Sequence, residues 1–134
     1  VYSQGLLASI HPLYNGGDAS ALVNYPDPDA TRFYASGRLP FLFVADVTIN
    51  GETERIHFIN LHARANNSSN PQGTYDMRKY DVEILKDSLD AYFPNANIVM
   101  LGDFNDDVDV TVANIPSTVT SYEKYVADTA NYKI

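Results

Sequence analysis

Cysteine is absent from these 134 residues, which excludes disulfides and thiolate zinc sites. It leaves the compartment open. No run approaches the roughly 20 apolar residues of a membrane span. The chain opens at Val1 with neither Met nor a signal peptide, so any targeting segment is expected to be absent or already removed. Basic residues are scarce: 9 Lys and Arg stand against 17 Asp and Glu, a net charge of −8. A protein that holds nucleic acid by charge alone is normally basic, so a passive DNA-coating role is disfavoured. An enzyme that meets phosphate through a bound divalent cation is not, because the ion supplies the positive charge. Histidine is also rare, limited to His11, His57 and His62.

What is present suffices for a folded domain. Hydrophobic residues make up 45%, enough for a core, and charged residues 19%, too few for a disordered chain. The length suits a single domain spanning residues 1–134.

The residues that point most directly at chemistry are Leu101-Gly102-Asp103-Phe104-Asn105-Asp106, at the end of the apolar run Ile98–Leu101. That run reads as a buried strand. Alternation along a strand sends Asp103 and Asn105 to the same side, and Gly102 lets another group approach closely. A carboxylate and an amide oxygen suit Mg²⁺ or Ca²⁺ together with a phosphate. Asp and Asn are equally at home in a polar turn after a strand, and spacing alone leaves both readings open. The series Asp103-x-Asn105-x-Asp107-x-Asp109 begins like a calcium loop. That loop needs Gly and Glu where this chain has Val108 and Asn114, so the reading fails.

The rest of the chain orders itself around this turn. Gly5–Ile10 reads as a short strand, followed by a long polar loop from His11 to about Arg32. Phe41–Ile49 and Arg55–Leu61 read as strands joined at Asn50-Gly51, a strong hairpin signal. His62 falls at the second strand's end. A lone strand-end His is ordinarily structural, but Leu61-His62-Ala63-Arg64 sets an imidazole beside a guanidinium, a pair suited to phosphate oxygens. Ser36-Gly37-Arg38-Leu39-Pro40 offers a further cation, Arg38, for a phosphate or for one of the many acids. Asn66-Asn67-Ser68-Ser69 holds two overlapping glycosylation patterns of a kind common by chance.

Residues 76–93 have helical period, with Met77, Tyr80, Ile84, Leu85, Leu89 and Tyr92 on one face. Lys79, Glu83, Lys86, Asp87 and Asp90 gather on the other. Thr74 or Asp76 is the expected cap, and Pro94-Asn95 the stop. Arg78 and Asp81 fall on the apolar side, where their spacing lets them pair. Beyond Val108 the pattern weakens: a strand or irregular segment to Ile115, then a helical turn over Tyr122–Ala127. The layer pattern is α/β with at least one antiparallel pair.

Together the Ser-Gly-Arg-Leu-Pro segment, the residues Phe58–Ala65 with Leu-His at the strand's end, the helix with an inward Arg78, and Gly-Asp-Phe-Asn-Asp after a hydrophobic strand resemble the central part of the endonuclease/exonuclease/phosphatase superfamily. These are the DNase I-like metal-dependent phosphodiesterases. The resemblance runs from about Arg32 to Asp107. It implies a two-sheet α/β sandwich of mixed, largely antiparallel sheets with outer helices, and phosphoester hydrolysis by metal-activated water. It implies a divalent metal, Mg²⁺ first and Ca²⁺ or Mn²⁺ as alternatives, at Asp103 and Asn105. By motif, Asp103 would orient or deprotonate the water. Asn105 would hold a phosphate oxygen or the metal, and His62 would bond the phosphoryl group and support the leaving oxygen. Arg38 and Arg64 would be auxiliary phosphate or scaffold contacts. The implied substrate is DNA or RNA, with phospholipids or inositol phosphates next and a noncatalytic binding domain as the alternative class. Composition would suit a secreted bacterial nuclease.

The family pattern also has an upstream Asn and metal-binding Glu and a C-terminal Asp-His pair. No His follows Asp103 here. The chain is therefore expected to be a partial domain: a fragment, a truncated form or one half of a nicked protein. Alone it is expected to hydrolyse little, which robust Mg²⁺-dependent turnover would refute. Exposed edges and apolar surface are expected to drive association with itself or with further parts of the same domain.

Overall fold

The architecture, taken from a computed structural model, is described for residues 24–134 and, as backbone, for residues 2–5. Four strands form one mixed sheet in the order β1-β2-β3-β4: β1 Tyr2–Gly5, β2 Phe41–Ile49, β3 Glu52–His62 and β4 Asn97–Asp103. The first two pairings are antiparallel and β3–β4 is parallel. The strand expected over Gly5–Ile10 lies outside the described residues beyond Gly5, as do His11 and most of the following loop.

The β2–β3 hairpin follows from its turn. Asn50 and Gly51 both take positive φ, 53° and 86°, the arrangement whose twist matches paired strands. The long helix α1, Pro71–Tyr92, crosses from β3 back to β4. It begins earlier than the periodicity predicts, and neither Thr74 nor Asp76 caps it. Asn70 does, its side chain accepting from Gly73 N at 3.1 Å, with Pro71 in the first turn where a missing N–H costs nothing. The buried stripe is also rotated from the predicted face. Tyr92 is exposed, while Lys86 is buried and reaches Asp90 at 2.7 Å and Asp128 at 2.8 Å.

Helix α1 and the short helix α2, Glu123–Ala127, cover one face of the sheet. Leu42, Val44, Ile59 and Leu61 meet Val82, Leu85, Leu89, Tyr122 and Tyr125 there. The opposite face carries the stacked rings of Phe43 and Phe58, 4.7 Å apart, and the exposed Phe41, Val99 and Leu101. The fold is α/β, and among the described residues α1 and α2 lie on one side of a mixed sheet. Among the described residues no helix is long and apolar enough to cross a membrane.

Between the loop and β2 the backbone is strained. Tyr34, Ala35 and Ser36 have φ of 47°, 51° and 65°, and Gly37 follows at 89°. Left-handed backbone costs an L-residue about 1–2 kcal/mol, so three in succession need tertiary support.

Arg78 and Asp81 both point inward, but not at each other. Arg78 pairs with Asp106 and Asp81 takes the Tyr34 N–H, because each finds a partner from another element at its own level of the helix.

Candidate active site

In the parallel β3–β4 pair His62 stands opposite Asp103, each the last residue of its strand. The two side chains therefore emerge together, His62 Nε2 lying 3.9 Å from Asp103 Oδ2. Both are more than half exposed, at 55% and 61%, so a ligand can reach them.

Arg38 comes to the same place from the strained turn. Its Nη1 sits 2.7 Å from His62 Nε2 and 3.3 Å from Nδ1, while its Nε donates to the Ala35 carbonyl at 3.0 Å. A guanidinium only donates, so the nearer ring nitrogen serves as acceptor in this arrangement.

Asn105 completes the cluster with a bent backbone, φ 52°. Its N–H donates to Asp103 Oδ1 at 3.0 Å and its Nδ2 to the Ala63 carbonyl at 3.0 Å. The amide nitrogen is thus committed to the scaffold, leaving Oδ1 as the end of the amide able to meet a cation. Gly102 serves a different purpose from the one its sequence context suggests. At φ 128° an added Cβ would run into the Leu61 carbonyl, so the close approach is by β3 itself rather than by a ligand.

Of the predicted site residues, Arg38, His62, Asp103 and Asn105 converge and Arg64 does not. Arg64 is buried, its guanidinium donating to the Arg32 carbonyl. This is the scaffold arrangement of the two expected for it, with the side chain turned to the Arg32 carbonyl instead of toward the strand ends.

The residues sequence reading missed are those that hold the turn. The Asp106 side chain is fully buried and paired with Arg78, Nη2 to Oδ2 3.1 Å. It accepts from Ser121 N at 3.0 Å, Ser121 Oγ at 2.6 Å, Val112 N at 2.8 Å and Thr111 Oγ1 at 2.9 Å. Burial pushes its carboxyl up. The Ser121 and Val112 donors and the Arg78 charge outweigh that and hold it below the usual carboxylate range. Arg78 also donates to Ser121 Oγ, to the Arg64 carbonyl and to Asn66 Oδ1, at 2.9, 2.9 and 3.0 Å. Asn66 in turn reaches the Asn105 carbonyl at 3.2 Å, so one network ties the loop after β3 to the loop after β4. The sequence signal for Arg78 was its place on an apolar face; Asn66 carried none.

A metal would find oxygen donors at Asp103 and Asn105, the hard set that Mg²⁺, Ca²⁺ or Mn²⁺ prefers. Among the described residues no three His, Cys, Asp or Glu side chains converge into an all-protein cage. The donor set fits a Mg²⁺ that takes one carboxylate from the protein and further oxygens from substrate phosphate and water. No protein-family model, curated protein or solved structure matches the chain.

Proposed function

We propose that the cluster at the ends of β3 and β4 is the phosphate-facing part of a metal-dependent phosphodiesterase of DNase I-like architecture, acting on DNA or RNA. The observation that carries this reading is the His62–Asp103 register at two adjacent strand ends, with the Arg38 guanidinium against the imidazole. Cation, imidazole and carboxylate together supply the charge stabilisation and proton transfer that a displacement at phosphorus draws on. Arg38, turning from the ring to the phosphate, offers two parallel N–H donors. His62 donates a ring N–H to a phosphoryl oxygen and supports the leaving oxygen. Asp103 orients the attacking water and accepts its proton. Mg²⁺ at Asp103 and Asn105, with Ca²⁺ or Mn²⁺ as substitutes, would polarise the phosphoryl oxygen and lower the pKa of bound water. The outer sheet face, which no helix among the described residues covers, is where we place association with further parts of the same domain or with a second copy.

The test is binding to the ¹⁵N-labelled chain, read by NMR. Mn²⁺ should broaden the amides of Asp103 to Asn105 first, and EDTA should restore them. Thymidylyl-thymidine should shift the Arg38 and His62 side chains only when Mg²⁺ is present. Glycerophosphocholine acting in its place moves the substrate class to lipids. Broadening elsewhere with residues 102–106 untouched removes the assignment. Where Mg²⁺-dependent plasmid hydrolysis is measurable, Asp103→Ala and His62→Ala should each lower it about 10²–10³-fold. Neither should lower the melting temperature, and Asn105→Ala should cost less. Binding without turnover in a complete site indicates a noncatalytic domain.

A further inference from the structure

We infer that Asp81, on the buried face of α1, is the positioning residue for Arg38: its carboxylate grips the left-handed turn that delivers the guanidinium to His62. The functional consequence rests on the reading of His62 given above; the positioning itself does not.

The chain of contacts is continuous. Asp81 is 3% exposed. Tyr34 N–H donates to Asp81 Oδ1 at 3.2 Å, and the Ala35 N–H bears on the same carboxyl. The Tyr34 phenol donates to the Asp81 carbonyl at 2.8 Å, fixing the residue at both ends. The turn then holds Arg38 twice. Its backbone N–H donates to the Tyr34 carbonyl at 2.8 Å, and its Nε to the Ala35 carbonyl at 3.0 Å. Only the tip of Arg38 remains to meet His62. A left-handed path through Tyr34, Ala35 and Ser36 is unfavourable for L-residues and needs an anchor. A core position that required only volume would take an apolar side chain, since a buried carboxylate is expensive. Asp81 offers a buried acceptor to the N–H groups of two adjacent residues of that path.

The groups facing Asp81 set its titration. Burial pushes the carboxyl up to about 7, against the Tyr34 and Ala35 N–H groups and the Arg64 charge, which lower it. The Tyr25, Tyr80 and Tyr122 phenols lie within its field and stay neutral across this range. Oδ1 accepts from the turn while the buried Oδ2 has no hydrogen-bond partner among the described residues, so the proton of the acid sits on Oδ2 and leaves Oδ1 an uncharged and weaker acceptor. The grip on the turn therefore tightens as pH rises through neutrality.

The experiment follows the Arg38 Nε–H resonance and the Asp81 carboxyl carbon in the labelled full chain from pH 5.5 to 8.5. In the unsubstituted chain the two should titrate together near the value given for Asp81, and Arg38 Nε–H should gain protection from exchange on the alkaline side. His62→Gln should preserve that titration, which separates it from the imidazole. Asp81→Asn should abolish it and lower protection at least tenfold at pH 8. Adding Ala35→Gly to Asp81→Asn should restore part of the protection, because glycine needs no anchor at positive φ. A role in packing alone would show no such rescue. Arg38 Nε–H independent of pH in the unsubstituted chain, or unmoved by Asp81→Asn, overturns the proposal. Should Asp81→Asn not fold, the titration in the unsubstituted and His62→Gln chains decides. None of these readouts uses metal or phosphodiester, so failure here and failure of the proposed function are told apart.

Discussion

At the scale of single residues, the side chains that hold the site are different from those that face it. Arg78 shows this best. Its position among apolar neighbours was legible from period alone, but its partner was not. Asp81 is three residues away in sequence and Asp106 is twenty-eight, and the ion pair forms with the distant one. The helix turns Asp81 toward Tyr34, and the loop after β4 brings Asp106 over Arg78. Arg78→Ala should cost about 3–5 kcal/mol, since it leaves a buried carboxylate uncompensated. Urea unfolding measures this. Loss of site function without loss of stability would show that Arg78 acts on ligand instead of on the fold. Arg64 teaches the reverse lesson. Two residues after His62, it would share the imidazole's side if the chain stayed extended, but β3 ends at His62 and beyond it the Arg64 side chain runs to the Arg32 carbonyl.

At the scale of elements, the locally encoded features were readable. The bounds of β2 and the Asn50-Gly51 turn depend on β propensity and on a dipeptide that tolerates positive φ, both properties of a few consecutive residues. The start of α1 was hidden because Asn66–Asn70 has the composition of a loop, and its last member is a cap. Asn70→Ala should destabilise by about 1 kcal/mol, with increased amide exchange confined to the first turn of α1. The parallel pairing of β3 and β4 is set partly by Gly102, where the Leu61 carbonyl needs the space a Cβ would fill. Gly102→Ala should cost about 2–3 kcal/mol. It should also disturb the contact between His62 and Asp103, seen as shifts at both residues. A variant as stable as the original with both shifts unchanged would remove this account of the register.

At the scale of the whole molecule, two carboxylates pull stability in opposite directions with pH. Asp106 is held below the ordinary range, so its contribution is present above about pH 4 and lost as pH falls through its lower folded value. Asp81 is raised to about 7, so its contribution is full below about pH 4 and lost as pH rises through neutrality. The Asp81 loss is on the order of 2–4 kcal/mol. The melting temperature should therefore peak in mildly acid solution and decline toward pH 8, and Asp81→Asn should flatten the alkaline decline. A profile that rises steadily to pH 8 would contradict the burial of an ionisable Asp81.

The sequence by itself determined the hairpin, the existence of a helix and of a strand before Gly102, and the presence of Asp103 and His62 at strand ends. These follow from alternation, period and turn chemistry, which act over neighbouring residues. Only the tertiary structure decided which strand end meets which. It also decided that Arg38 joins them while Arg64 does not, and that Asp106 and Asp81 serve as buried anchors. Those outcomes depend on pairing register and on the free energy of burying a charge beside a distant partner, and neither is encoded in a window of adjacent residues.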